Sequence, residues 1–175
     1  MVVCWLMCEP VVDQKAECHR EPPQYVTEEE MASFGVICYQ VPVNDGGEGL
    51  KEFVKKQGYQ CSNEIVIHPS TIPNFEEECK NFFAEHSHTE EGVRYFAEGE
   101  GYFDVRNDKG EWVRILCRPG DVITLPSNIY HRFTTTNTDS VVLVRLFKEE
   151  PSYKINIRGG ATVDHFYNRK DVITT

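Results

Sequence analysis

The chain has 175 residues, 40% of them hydrophobic and 26% charged, which is enough sequence and enough apolar side chain for one domain with a real core and leaves little room for a second. We therefore expect a single domain spanning 1–175. Acidic residues outnumber basic ones by 28 to 18, giving a formal charge of −10, so no basic stripe exists to release counterions from phosphate, and a nucleic-acid partner and an anionic membrane surface are both disfavoured.

In chain order, Val2 to Met7 reads as an apolar strand. The apolar opening stops at Cys8, has no basic lead-in and gives way to Glu9-Pro10, a poor match to a secretory signal. No run approaches the ~20 apolar residues of a membrane helix. The expected compartment is the cytosol, with the nucleus as a second one. After a polar loop through Pro22-Pro23, Thr27-Glu-Glu-Glu30 is a capping-box pattern that opens a short helix, and Gly35 ends it. Val36 to Val41 reads as a strand, Gly49 to Lys56 as a helix closed by Gly58, and Asn74 to Phe82 as a third helix after Pro73. Phe75, Cys79 and Phe82 fall on one face of that helix, which suits a core-facing stripe, with Phe82 also placed to line a pocket.

From residue 85 onward the chain changes to short runs rich in Val, Ile, Tyr and Phe. They are 85–88, 93–97, 101–106, 112–116, 121–125, 129–134 and 141–147, separated by turns at Glu98-Gly-Glu-Gly101, Asn107-Asp-Lys-Gly110, Pro119-Gly120 and Pro126-Ser-Asn128. Many short strands at regular spacing predict an antiparallel sandwich or barrel, so the fold expected is mainly β with a few short helices in the N-terminal half. Arg158 to Thr175 reads as loop and terminal tail. Seven cysteines at 4, 8, 18, 38, 61, 79 and 117 form an odd set with no Cys-x-x-Cys pair, which suits free thiols in a reducing compartment. The group Cys4, Cys8, Cys18, His19 fits no structural zinc spacing.

Three histidines carry the chemistry. His86 and His88 form His-x-His, and on an extended segment residues i and i+2 point to the same side. His131 stands in Ile129-Tyr-His-Arg-Phe133; a third imidazole from a later strand would complete three neutral ligands suited to iron, nickel or zinc. A His-x-His pair on a solvent-facing strand would look the same by spacing. The setting argues otherwise: Gly99 and Gly101 turn the chain after the pair, Gly120-Asp121 opens a later hairpin, and Pro126 precedes the third histidine, the two-part layout of the cupin signature.

The resemblance is closer than that. Phe82-Phe-Ala-Glu-His-Ser-His88, Val93-Arg-Tyr95, Gly101-Tyr-Phe-Asp-Val-Arg106, Trp112-Val-Arg-Ile115, Gly120-Asp-Val-Ile-Thr-Leu-Pro126, Ile129-Tyr-His-Arg-Phe-Thr134, Arg145-Leu-Phe147 and Glu150-Pro151 resemble acireductone dioxygenase of the methionine salvage pathway. The opening Trp5-Leu-Met7 fits as well, whereas 9 to 65 and the last fifteen residues match more loosely. The resemblance implies a cupin-type double-stranded β-helix, or jelly roll. It implies a monomer that oxidises 1,2-dihydroxy-3-keto-5-methylthiopentene with O2, giving 4-methylthio-2-oxobutanoate and formate with Fe2+, or methylthiopropionate, formate and carbon monoxide with Ni2+. It also implies that His86, His88 and His131 ligate one metal per chain, that Arg94 orients the enediolate, and that Phe82, Phe103 and Phe133 wall the pocket. Without that context a second reading of Arg94 is a surface ion pair with Glu90 or Glu91, and of the phenylalanines plain core.

One position departs from the pattern. The family motif His-x-His-x3-Glu supplies a fourth, carboxylate ligand, and its place here is held by Gly92, which removes one bond and one negative charge and predicts a weakly held metal. Three readings follow. Glu90 or Glu91 substitutes as ligand, or three histidines suffice, or the chain is an inactive homologue that keeps the pocket as a binding or regulatory protein.

Overall fold

The computed structural model of the chain describes residues 2–164 and 173–174. Its elements run β1 (Val3–Leu6), α1 (Glu28–Ser33), β2 (Ile37–Gln40), α2 (Glu48–Gln57), β3 (Cys61–Ile67), α3 (Phe75–Phe83), β4 (His86–Ser87), β5 (Gly92–Gly99), β6 (Gly101–Arg106), β7 (Trp112–Cys117), β8 (Asp121–Leu125), β9 (His131–Thr135), β10 (Val141–Phe147), β11 (Lys154–Ile157), β12 (Thr162–Asp164) and β13 (Ile173–Thr174).

The expected capping box is present. The Glu30 N–H donates to Thr27 Oγ1 at 3.1 Å, and the Thr27 N–H donates to Glu30 Oε2 at 2.8 Å, so two orphan donors at the start of α1 are satisfied reciprocally. Gly58 closes α2 in the left-handed conformation at φ 78°, as its position after Lys56 predicts. The stripe on α3 is also as read: Phe75 and Cys79 are buried and Phe82 packs against the core.

The strands form two antiparallel sheets, ordered β1-β7-β6-β9-β4-β11-β12 and β13-β3-β10-β5-β8-β2. Their inner faces meet in one core that joins Phe103, Val105, Ile115 and Phe133 of the first sheet to Ile65, Phe96, Ile123 and Leu143 of the second, with Phe96 edge-on to Phe103 at 6.1 Å between ring centroids. Two packed antiparallel sheets are what the strand pattern predicts, and the jelly-roll barrel is what the family resemblance implies. The strand alternation decides what faces inward. On β5, Phe96 reaches this core while Val93 and Tyr95 pack outside, against Val54 and Tyr59 of the α2 hairpin. No helix among the described residues is long and apolar enough to cross a membrane.

Four strands were not expected. β3 is central to the second sheet, pairing with β10 from Cys61↔Phe147 to Ile67↔Val141, yet its first half, Cys-Ser-Asn-Glu, has weak strand propensity. β11 pairs with β4, bringing Ile157 opposite His86. The tail read as loop from Arg158 contributes two further pairings, β12 against β11 and β13 against β3; pairing with existing sheet edges overrides the polar local sequence there. Residues 165–172 and 175 of that tail lie outside the described residues.

Candidate metal centre

The register of the first sheet brings the histidines together. His86 of β4 stands directly opposite His131 of β9, although 45 positions separate them, and His88 follows one residue after β4 ends. One ring nitrogen from each lies within 4.8 Å of the other two, and this is the only such group of His, Cys, Asp or Glu among the described residues.

The main chain orients all three rings. Nδ1 of His86 bonds the Ala84 carbonyl at 2.7 Å, Nδ1 of His88 the Lys154 carbonyl at 3.1 Å, and Nδ1 of His131 the Ile129 carbonyl at 3.0 Å. A carbonyl only accepts, so Nδ1 carries the proton in each ring and the lone pair is left on Nε2. Burial lowers the pKa of His86, against the Ala84 hydrogen bond, and Arg94 lowers it further. Burial, His86 and His88 push that of His131 well down. Neutral imidazoles with Nδ1 fixed by backbone carbonyls are what a divalent transition metal requires, so the donor set fits such an ion.

The imidazoles line a cavity of about 850 Å³, measured out to its open mouth. Phe82, Phe103 and Phe133 form an apolar wall beside them, with Phe103 at 5.0 Å from Phe133 and 6.3 Å from His131 between centroids, and Phe82 edge-on to Phe133 at 6.1 Å. All three pocket phenylalanines named from the sequence therefore lie there.

The second sheet supplies the opposite wall, and with it the cations. Arg94 of β5 is paired in register with Arg145 of β10, which in turn stands opposite Asn63 of β3. Arg145 Nε donates to Asn63 Oδ1 at 2.7 Å, and Asn63 Nδ2 donates to the Tyr153 hydroxyl at 2.8 Å. The Arg145 guanidinium also lies 5.1 Å from the Tyr153 ring centroid. Arg94 Nη1 donates to the Val93 carbonyl at 3.0 Å. Burial, with Arg145 beside it, pushes the Arg94 pKa down to about 9, which leaves a cation at neutral pH. The expected alternative of an ion pair with Glu90 or Glu91 is not what forms. The Ser152 N–H donates to Glu90 Oε1 at 3.3 Å, while Glu91 pairs with Lys148 at 3.8 Å. Both glutamates border the cavity and neither joins the imidazole cluster.

Gly92 also borders the cavity, opposite Leu125. A Cβ built there would meet Leu125 Cβ at 3.6 Å and the Arg94 guanidinium at 3.8 Å and 4.0 Å, ordinary contact distances. Nothing in the backbone or its surroundings compels glycine at this position.

Sequence reasoning missed a second polar constellation behind the site. Arg114 Nε and Nη2 donate to the two Asp104 oxygens at 2.7 and 2.8 Å, and Arg132 Nε donates to Oδ2 at 2.8 Å. Arg114 and Asp104 are essentially inaccessible to solvent. Arg114 also reaches the carbonyls of Gln14 and Ala16, and the Arg132 guanidinium lies 4.0 Å from the Trp112 ring centroid and 4.1 Å from that of Phe83. Arg132 is the neighbour of His131, so this network ties the ligand-bearing β9 to β6 and β7. The signal available in the sequence was the alternation itself, which places Asp104, Arg114 and Arg132 on the face opposite Phe103, Ile115 and Phe133.

The ARD/ARD' family model matches residues 3–154. The chain belongs to that family. It is 41% identical over 149 residues to acireductone dioxygenase 1 of Vitis vinifera, covering 84% of this chain and 79% of that one. To the acireductone dioxygenase of Branchiostoma floridae it is 40% identical over 151 residues, covering 86% and 85%. The fold matches the acireductone dioxygenase of Bacillus anthracis, a structure with cadmium in its active centre, at a TM-score of 0.66 and 22% identity over 86% of this chain and 95% of that one. Family membership and the three-imidazole centre thus arise independently, one from sequence similarity and one from geometry.

Proposed function

We propose that this ARD/ARD' family member is an acireductone dioxygenase, acting on 1,2-dihydroxy-3-keto-5-methylthiopentene and O2 in methionine salvage. The observation that carries the reading is the convergence of His86, His88 and His131 in one cavity with Arg94 and Arg145 across from them. His86, His88 and His131 hold the metal, Fe2+ or Ni2+. When bound, that ion supplies Lewis-acid and redox chemistry through positions the three imidazoles leave open.

The rest follows from the chain's own groups. No carboxylate among the described residues pairs with Arg94, so the Arg94 guanidinium favours a deprotonated enediol and aligns its oxygens toward the imidazole cluster. Arg145, held by Asn63, adds a second positive field on the same side. The Phe82, Phe103 and Phe133 rings accommodate the apolar part of the substrate and limit water around the reacting carbons. The acidic surface outside does not oppose this, because salt screens exposed charges beyond roughly 10 Å while the cavity cations act at contact. We expect a cytosolic monomer.

The test is oxygen uptake with anaerobically prepared acireductone after separate reconstitution with Fe2+ and Ni2+. Turnover in excess of the metal-free chain, with carbon monoxide formed only by the nickel form, is the expected result. Stoichiometric metal with no uptake would instead identify an inactive homologue that retains the pocket.

A further inference from the structure

Arg94, in the cavity wall, has no carboxylate partner among the described residues, and the place for a counterion beside it is identifiable. Around the imidazole cluster every ligand is neutral, and both neighbouring guanidiniums are cations. Arg94 is half-buried in the cavity wall, its hydrogen bond goes to a main-chain carbonyl, and no carboxylate among the described residues comes within ion-pair distance of it. A guanidinium taken out of water with no anion is costly. Beside it, a Cβ at Gly92 would face Arg94 Nη1 at 3.8 Å and Nη2 at 4.0 Å and clash with nothing. Gly92 and Arg94 line the same cavity as His86, His88 and His131.

We propose that the space a side chain at position 92 would fill is a binding site for a small free monocarboxylate, which pairs with Arg94 and completes the donor set that His86, His88 and His131 begin. This rests on the reading of those histidines as a metal site. The ligand class follows from the chemistry: a planar two-oxygen anion matches the guanidinium fork with one edge and offers a lone pair to a cation with the other. Leu125, whose Cβ would lie 3.6 Å from a Cβ at position 92, borders the space on one side.

The consequence is that metal affinity depends on the anion. We would titrate the metal-free chain with Ni2+ by calorimetry at neutral pH, with sodium formate as probe, sodium acetate as a second and sodium perchlorate holding ionic strength constant. Formate should tighten Ni2+ binding saturably by about tenfold, the size of one modest ligand bond. Gly92→Glu, which tethers a carboxylate at the same place, should bind Ni2+ tightly without formate and ignore it when added. Arg94→Met, which removes a cation beside the imidazole cluster, should bind Ni2+ more tightly than the unaltered chain without formate and lose most of the formate effect. Ni2+ binding that formate leaves unchanged would overturn the proposal while leaving the three-histidine site standing. Equal tightening in Gly92→Glu would overturn it too, by placing the anion elsewhere. Failure to bind Ni2+ with or without formate would remove the metal site and this inference together.

Discussion

Each imidazole of the centre turns Nδ1 to a main-chain carbonyl, so the tautomer is set by backbone that the strands hold in place. Burial of His86 and His131 has a consequence for pH. Both have folded-state pKa values below their ordinary 6.5, so between the two values the unfolded chain binds protons that the folded chain does not. Stability is then fully present above pH 6.5 and falls as pH drops through and below it. Acid titration of the metal-free chain, followed by thermal melts, should show this loss beginning near 6.5, and His131→Gln should flatten it; an unchanged slope in that variant would exclude His131 as the source. At Arg94 the expectation concerns catalysis. Arg94→Met keeps length and removes charge, so kcat should fall by roughly 10² to 10³, as for loss of one charge-stabilising donor, with Ni2+ or Fe2+ content undiminished. An equal loss of metal would mean that the residue shapes the ligand site instead.

The elements show why the site was only partly legible. His86 and His88 are legible because i, i+2 spacing puts them on one side, and His131 because the glycines and proline around the three match the two-part cupin layout; Phe82, Phe103 and Phe133 follow from the family resemblance. The charge-bearing wall as a whole does not. Arg145 acquires its role from Asn63, and Asn63 sits on a strand whose polar first half hides it, so the row Arg94, Arg145, Asn63 exists only once β5, β10 and β3 are known to be neighbours. The same holds for Asp104, which pairs with Arg114 across β7 and with Arg132 across β9, partners 10 and 28 positions away. Local sequence fixes which way a side chain points and says nothing about which strand lies alongside. The Asp104 network also permits a firm expectation. Asp104→Asn leaves two guanidiniums behind β9 without their anion, a loss of about 3–5 kcal/mol by analogy with broken buried pairs. Urea denaturation of the metal-free chain measures it. A cost below about 1 kcal/mol would mean that solvent reaches the network, as it does at surface pairs.

Across the whole molecule, the two sheets divide the labour unequally. All three imidazoles come from the first sheet or the residue following its β4, whereas Gly92, Arg94 and Arg145 belong to the second. A carboxylate at position 92 would make a metal held by His86, His88 and His131 a cross-link between the sheets; with glycine there, such a metal would join β4 and the residue after it to β9 within one of them. Ligand binding to the native state stabilises by mass action, about 2.7 kcal/mol at a hundredfold excess over Kd. For a chain of this length each kcal/mol moves Tm by roughly 2–4 °C, so saturating Ni2+ should raise Tm by about 5–10 °C. Gly92→Glu should gain about 1.4 kcal/mol more at the same Ni2+ concentration if its affinity rises tenfold. Its metal-free Tm should also rise, since the tethered carboxylate gives the Arg94 guanidinium the anion it lacks. The informative quantity is therefore the metal-induced shift, compared between the two chains by scanning calorimetry with and without Ni2+. Equal shifts would show that a side chain on β5 does not reach the metal, and that the two sheets are joined at this end by the apolar core alone.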